Sequence, residues 1–292
     1  MPTDSPPADP AATPILGKPL AEAVRERVRE RVAAVAVRPT LAVVVASTDP
    51  AVAKYAEAKG RGAEKLGIAL EIAIVEPEAG QGALEDRIDA LSADPDIHGI
   101  LLELPVDKRL DAESAIRRID PAKDVDGLTP INLGLIAAGR EADALAPATP
   151  LACLALAESV TPIAGKRAVV IGRGRSVGRA LAPMLVNRDA TVTICHTKTP
   201  DLAEAIAPAE LVFVAAGKAG LIGPAHLKPG QVVIDAGINV IDGGIVGDVD
   251  PAAGGVVAAL TPVPGGVGPL TSALIFDTLM RALDLQGSGG AA

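Results

Sequence analysis

The stretch AVVIGRGRSVGRALAPML, residues 168–185, decides the fold of this chain. An apolar run ends at Gly172, and the turn continues through Gly174 and Gly178 into an apolar-periodic helix. A strand that enters a helix through a glycine turn aims backbone N–H groups and the positive helix end at a phosphate. The spacing is G-x-G-x-x-x-G, not the usual G-x-G-x-x-G, so a tight βα turn without a ligand is the alternative.

Apolar runs on either side of this stretch alternate with helical patterns, as in a mostly parallel sheet with helices on its faces. The predicted strands are 40–45, 68–75, 98–104, 168–171, 191–195, 211–215 and 232–235. The predicted helices outside the glycine stretch are 50–66, 84–91, 112–119, 131–138 and 271–285. Residues 141–150 end in PATP and predict a linker. The pattern therefore predicts an α/β fold of two α/β domains flanking a cleft, the C-terminal one Rossmann-like.

The residues after the next strand, CHTKT at 195–199, indicate which dinucleotide the turn binds. An acid at this position bonds a ribose 2′-hydroxyl, and such an acid would repel a 2′-phosphate. Here hydroxyls and Lys198 stand in its place, and Arg173 and Arg175 add positive charge. We therefore expect NADP in preference to NAD, unless Lys198 and Arg175 are only solvated surface charges.

Composition excludes several classes of protein. The 292 residues contain no Trp, one Tyr and two Phe, and the net charge is -9, which argues against nucleic-acid binding. No run of about 18 apolar residues predicts a membrane span. Cys153, Cys195 and the scattered histidines have no metal-ligand spacing, so no metal site is expected. Residues 1–14 predict a disordered tail, and the location expected is the cytoplasm.

Three sets of polar residues are catalytic candidates. Tyr55 and Lys59 are four residues apart on a predicted helix and share a face, although most such pairs are surface packing. Glu103 stands in an apolar strand, where an acid is costly unless it is paired or points to solvent at the strand end. Asp124 and Asp126 alternate in direction if the segment is extended, so that one faces the cleft and the other solvent.

These segments together resemble the bifunctional methylenetetrahydrofolate dehydrogenase/cyclohydrolase family, over nearly the whole chain after the tail. The resemblance rests on an ordered set of motifs: Tyr55 with Lys59, GILLELP, PAKDVDGLTPIN, PATP, GKRAVVIGRGRSVGR, ATVTICHTKT, KPGQVVIDAGIN, VGDVD and TPVPGGVGPLT. It implies a folate-binding catalytic domain of residues 15–146 plus 271–292, onto which the final helix packs back, and an NAD(P)-binding Rossmann domain of residues 147–270. It also implies a homodimer through the cofactor domains, with tetrahydrofolate substrates and NADP as cofactor.

The family's activities are oxidation of the bridging methylene by the nicotinamide and hydrolysis of the methenyl cation to the 10-formyl product. By resemblance, Lys59 is the catalytic lysine, Tyr55 its partner over the folate, and Asp126 the acid that holds the pterin. The other substrate-binding positions implied are Val52, Leu104, Pro264, Gly265 and Gly266. The cofactor-binding positions implied are Gly172, Arg173, Gly174, Arg175, Ser176, Val177, Gly178, His196, Thr197 and Ile238.

The chain departs from the family at three positions. Glu103 stands where the family has a glutamine bonded to the lysine, Val52 replaces a serine, and Ala148 changes PCTP to PATP. A carboxylate next to Lys59 favours the ammonium form, which is a poor base. We therefore expect Glu103 to restrain the cyclohydrolase step more than the dehydrogenase. The alternatives are a paralogue that transfers or hydrolyses a one-carbon unit without hydride transfer, and a non-catalytic folate-binding protein.

Overall fold

A computed structural model describes residues 12–242 and 244–288, leaving aside the side chains of Ala51, Ala53, Tyr55 and Ser288. The strands are β1 (Thr13–Pro14), β2 (Thr40–Val45), β3 (Ala69–Ile74), β4 (Gly99–Leu102), β5 (Arg167–Ile171), β6 (Thr191–Cys195), β7 (Leu211–Val214), β8 (Val232–Asp235), β9 (Asn239–Ile241), β10 (Gly244–Val246) and β11 (Ala259–Leu260). The α-helices are α1 (Gly17–Ala34), α2 (Pro50–Glu64), α3 (Gly80–Ala93), α4 (Ala112–Ile116), α5 (Pro130–Ala137), α6 (Ala148–Glu158), α7 (Gly178–Val186), α8 (Leu202–Ile206) and α9 (Val267–Ser288).

The described residues divide into two compact units. The first unit consists of residues 21–151 and 270–288, and the second of residues 12–20 and 152–269. Among the residues described, none of the helices is both long enough and apolar enough to cross a membrane.

The sheet of the first unit is parallel, with strand order β3-β2-β4. Its central strand β2 is buried from Leu41 to Val45, because a parallel strand covered on both faces has no polar side. Ala, Val, Leu and Ile dominate the packed core, as the near absence of aromatics predicts. One core cluster includes Ala42, Val44, Leu84, Ile88, Ile100, Leu102, Ile116 and Leu128.

Helix α9 contributes its residues from 270 onward to the first unit. A Cβ added at Gly99 would lie 2.6 Å from Leu279, so the start of β4 and this helix are in direct contact. Gln286 donates hydrogen bonds to the carbonyls of His98 and Ala122 at 2.9 and 3.0 Å. These contacts explain why a segment distant in sequence joins the same core.

The sheet of the second unit has the order β1-β11-β8-β7-β5-β6, and all its pairings are parallel. Strands β5, β7 and β8 lie inside it and are almost wholly buried. Strand β6 is an edge strand and exposes Ile194. The predicted α/β class with a Rossmann-like C-terminal part is confirmed.

Several short elements differ from the predicted pattern. Thr13–Pro14 forms a strand within the segment 1–14 predicted as a tail, since Thr13 N donates to Ala258 O at 2.9 Å; residues 1–11 lie outside the described part. Helix α6 begins at Ala148, inside PATP, so the last three residues of the predicted linker 141–150 are helical; Pro150 lies in the first turn, where proline is tolerated. Strand β4 ends at Leu102, one residue before Glu103. Hairpin β9–β10 was not predicted.

Candidate functional site

The glycine turn of the second unit is built from close backbone contacts. A Cβ added at Gly172 would lie 2.0 Å from the carbonyl oxygen of Ala215, and one at Gly178 would lie 2.1 Å from the carbonyl oxygen of Gly172. Gly172 also has a φ of 114°, which other residues rarely adopt. Because Gly178 opens helix α7, the positive end of that helix stands at this turn.

A cavity of about 740 Å³ opens at the turn. Its lining residues are Ile171, Gly172, Arg173, Gly174, Ser176, Val177, His196, Thr197, Thr199, Leu202, Ala215, Ala216, Gly217, Lys218 and Leu221. The set contains hydroxyls and cations, and within the described part of the chain the cavity is lined by no carboxylate. Such a cavity suits the phosphates of a dinucleotide, including a 2′-phosphate.

Most, but not all, of the predicted cofactor residues line this cavity. Those that do are Gly172, Arg173, Gly174, Ser176, Val177, His196 and Thr197. Gly178 is instead buried beneath the turn, Ile238 is 62% exposed, and Arg175 is outside the lining set. Sequence reasoning missed Ala215 to Lys218, although the end of β7 must lie beside β5 in a parallel sheet. The order of the strands was the missing information.

The CHTKT segment, residues 195–199, forms a hydrogen-bonded turn after β6. The backbone N–H of His196 donates to the Thr199 hydroxyl at 2.9 Å, and the Thr199 N–H donates to the His196 carbonyl at 2.8 Å. The Lys198 N–H donates to Nδ1 of His196 at 3.1 Å. These bonds hold a tight turn that presents Thr197 and Thr199 to the cavity.

In the first unit, Lys59 and Glu103 form an ion pair. Lys59 lies on α2 and Glu103 directly follows β4, and the Lys59 ammonium donates to Oε1 of Glu103. The two side chains keep only 18% and 9% of their exposure. The Glu103 N–H donates to Val44 O at 2.9 Å, which fixes the residue to the central strand. The acid is thus paired and does not point freely to solvent.

Asp126 stands near this pair and is half-buried. Burial and then the negative charge of Asp124 raise the pKa of Asp126 to about 7; Lys59 acts in the lowering direction and Glu103 again raises it. Two acids and one amine therefore share a partly desolvated region. Such a group can accept N–H donors from a ring and move protons near neutral pH.

The KDVDG segment that carries Asp126 is otherwise structural. Lys123 is buried and its ammonium donates to the carbonyls of Ser92 and Asp94, both at 2.7 Å, at the end of α3. Asp124 is 1% exposed, so it points into the interior and not to solvent. Its carboxylate accepts from the N–H of Thr129 at 2.7 Å and the amide of Asn132 at 3.1 Å. Burial raises the pKa of Asp124.

The remaining predicted folate positions are divided between the two units. Val52 is 3% exposed on α2, which leaves it little surface for a ligand, and Leu104 is 36% exposed after β4. Pro264, Gly265 and Gly266 belong to the second unit, where Gly266 N donates to Pro262 O at 2.8 Å. Helix α2 includes Tyr55, whose side chain lies outside the described part. Their roles stay predictions.

Residues 12–242 and 244–288 contain no candidate set of metal ligands. No group of three His, Cys, Asp or Glu side chains there could hold an ion. The two described cysteines, Cys153 and Cys195, are buried and unpaired, and burial raises the pKa of both thiols.

Comparison with known families assigns both halves of the chain. Residues 15–126 match the family described as tetrahydrofolate dehydrogenase/cyclohydrolase, catalytic domain. Residues 147–286 match the NAD(P)-binding domain of the same family. The two matches follow each other in one chain and cover most of its length.

Individual relatives agree with the family match. The bifunctional protein FolD of Heliobacterium modesticaldum is 46% identical over 252 residues, which is 85% of this chain and 87% of that protein. The crystal structure of the bifunctional enzyme FolD of Campylobacter jejuni matches with a TM-score of 0.90 and 35% identity, covering 94% of this chain and all of that one. Trypanosoma brucei methylenetetrahydrofolate dehydrogenase-cyclohydrolase, complexed with NADP and an inhibitor, matches with a TM-score of 0.88 and 32% identity, covering 97% and 100%.

Proposed function

We propose that this chain, which belongs to the tetrahydrofolate dehydrogenase/cyclohydrolase family, oxidises 5,10-methylenetetrahydrofolate with NADP and hydrolyses the methenyl product to 10-formyltetrahydrofolate. The observation that carries the proposal is the match of both family domains, in order, on one chain. The geometry agrees with it, because one unit has a cavity suited to phosphates and the other has an amine that contacts one acid near a second acid.

The residues of the second unit fit NADP. Gly172 and Gly178 leave room where a Cβ would clash, and the cavity next to them has Arg173, Thr197 and Lys218 on its wall. Arg173 and Thr197 would hold the 2′-phosphate, and the N-terminus of α7 the pyrophosphate. When bound, the nicotinamide supplies a hydride acceptor for the bridging methylene carbon of the folate.

The first unit supplies the groups that act on the folate. We assign Asp126 to the pterin edge, where its carboxylate accepts ring N–H donors. Lys59 in its neutral form takes a proton from the water that adds to the methenyl carbon. Glu103 holds the Lys59 side chain in an ion pair and so limits this second step. Hydride transfer needs position more than a base, so the oxidation is less affected.

We also propose that two copies pair through their second units. Strand β6 is a sheet edge with Ile194 46% exposed, and Val186 at the end of α7 is 57% exposed. An apolar edge strand of this kind is stabilised by pairing with another chain. Ile194→Lys should therefore give a monomer in analytical ultracentrifugation.

The unpaired thiols Cys153 and Cys195 support a reducing compartment, the cytoplasm.

The test of the proposed function is a two-step assay on the purified chain. Methylenetetrahydrofolate and NADP should yield NADPH, and the methenyl product should then be hydrolysed. Lys59→Met should lose the hydrolysis, while Lys54→Met, an exposed position on the same helix, should behave as wild type. Folate binding without turnover would instead support a binding protein, and one-carbon chemistry without NADPH would support a divergent paralogue.

A further inference from the structure

Asp248 is a buried carboxylate that sits outside the cavity but holds part of its wall. It is 0% exposed and accepts four hydrogen bonds. Oδ2 accepts from the N–H of Ala216 at 2.6 Å and of Gly217 at 2.8 Å. Oδ1 accepts from the N–H of Lys218 and from the Asn239 amide, both at 2.8 Å. One side chain therefore gathers three successive backbone N–H groups of the segment after β7.

Besides the bonds to Asp248, the Lys218 carbonyl of the gathered segment, residues 216–218, accepts from the N–H of Leu221 at 3.3 Å. All three residues are exposed, so burial of apolar surface does not fix them. Gly217 adopts a φ of 66°, a conformation that a free loop occupies only part of the time. Bonds from N–H groups to a carboxylate are short and strong compared with neutral pairs. The carboxylate of Asp248 thus binds all three successive N–H groups of this exposed segment.

A second buried acid fixes the backbone of the first. Oδ1 of Asp235 accepts from the N–H of Asp248 at 3.1 Å, and Oδ2 accepts from the N–H of Val249 at 2.9 Å. The Asp235 N–H donates to the Thr261 hydroxyl at 2.7 Å. A Cβ added at Gly247 would lie 1.9 Å from Oδ2 of Asp235, so only glycine allows this approach. Asp235, at the end of β8, therefore anchors Asp248.

The ordered segment meets the cofactor turn. Residues 216–218 line the 740 Å³ cavity, and the neighbouring Ala215 carbonyl lies against Gly172. The sheet order is β8-β7-β5-β6, so this segment and the CHTKT turn lie on opposite sides of β5. Thr197, assigned above to the 2′-phosphate, is in the CHTKT turn. A dinucleotide whose 2′-phosphate lay at Thr197 would therefore meet the segment held by Asp248 with a part that NAD and NADP share.

We propose that Asp248 is a positioning residue for the nicotinamide cofactor, through residues 216–218, and that it acts equally on NAD and NADP. This inference rests on the proposed function, since it requires that the cavity bind a dinucleotide. Two binding properties of the cavity, dinucleotide preference and dinucleotide affinity, are then set by different residues. Arg173 sets the preference between the two dinucleotides, and Asp248 sets the affinity for both.

The test is calorimetric titration of the full chain with NADP and with NAD, for wild type and Asp248→Asn. The variant keeps the shape but turns an NH2 group toward N–H donors, so one or more bonds are lost. Loss of a charge-assisted bond predicts at least about tenfold weaker binding of each dinucleotide, with their ratio unchanged. At saturating NADP, kcat and the KM for folate should stay within about twofold. Arg173→Ala should instead change the ratio.

The matched control is Asp250→Asn, two residues further on. Asp250 is exposed and its side chain also accepts a backbone N–H, from Ala252 at 2.9 Å, but Ala252 does not line the cavity. It should bind both dinucleotides like wild type. If Asp248→Asn does not fold, Asn239→Ala removes one of the four donors and should weaken both affinities several-fold.

The outcomes are distinguishable. Unchanged affinities in a folded Asp248→Asn chain, or in Asn239→Ala when that variant is needed, overturn the inference. So does a loss confined to NADP, because the segment would then act on the 2′-phosphate. A wild-type chain that binds neither dinucleotide overturns the proposed function and the inference with it.

Discussion

Replacing Glu103 by glutamine removes the charge that contacts Lys59 and little else. Glutamine has nearly the same shape and keeps an oxygen that accepts from the lysine. The Glu103 N–H bond to Val44 O is a backbone bond and is retained. The variant therefore tests whether the carboxylate, and not the packing of the site, limits the hydrolysis of the methenyl cation.

The size of the effect follows from the partial burial of the pair. Unit charges 4 Å apart attract by about 1 kcal/mol in water and about 4 kcal/mol at an effective dielectric constant near 20. Lys59 and Glu103 keep 18% and 9% of their side-chain exposure, so some screening remains and desolvation opposes the attraction. The net free energy lost when this ion pair is removed should therefore be about 1.5–3 kcal/mol, the range of a hydrogen bond to a charged group. A difference of about 1.4 kcal/mol is a factor of ten. Removing the Glu103 charge should therefore speed the step that Lys59 assists at least tenfold.

The assay measures both activities of the same preparation at neutral pH. Methenyl hydrolysis should rise about tenfold or more in Glu103→Gln, while NADPH formation and folate affinity stay within about twofold. Glu57→Gln removes an exposed carboxylate from α2 with the same change in net charge and should leave both rates unchanged. Hydrolysis that is unchanged or slower in Glu103→Gln would refute the reasoning, because Glu103 would then serve as a base or mimic the glutamine.

Three further results are expected. The wild type should prefer NADP over NAD by tenfold or more in kcat/KM, since a charge-assisted bond is worth about 1.5–3 kcal/mol. Arg173→Ala should remove most of that preference. Equal kcat/KM values for the two dinucleotides in the wild type would contradict this expectation. Because burial raises the pKa of Asp126 to about 7, its carboxylate is protonated at pH 6 and ionised at pH 8. Folate affinity should thus increase about tenfold from pH 6 to pH 8. Asp126→Asn should bind folate weakly at every pH, with NADP binding intact. If folate affinity survives this substitution, Asp126 is only a loop residue with no role in folate binding. Gly127→Ala places a Cβ 2.5 Å from Leu145 O at a φ of 64° and should lower the free energy of unfolding by about 1–3 kcal/mol. Gly134→Ala, at an exposed position of α5 with nothing within 4 Å of the new Cβ, should raise the free energy of unfolding by up to about 1 kcal/mol. Urea unfolding compares the two variants, and equal effects would contradict the expected strain at Gly127.

The strands and the glycine turn could be predicted because their signals are local. A parallel strand buried on both faces needs an uninterrupted apolar run, which is visible at 40–45 and 168–171. A dinucleotide turn needs glycines where backbones touch, and Gly172 and Gly178 meet that need within seven residues. The two-residue strands β1 and β11 carry no such pattern, since they form by pairing with each other across the chain.

The roles of the acids were decided by tertiary structure. Asp124 and Asp126 are two residues apart and chemically identical, yet one is an interior hydrogen-bond acceptor and the other keeps an accessible face. Glu103 finds Lys59 across 44 residues, and Asp248 finds the N–H groups of a loop some 30 residues earlier. The function of a carboxylate depends on which hydrogen-bond donors the fold brings to it. The neighbouring residues along the chain do not specify those donors. The sequence alone therefore determined the kind of sheet and the class of cofactor, whereas only the tertiary structure decided which carboxylates are free to meet a ligand.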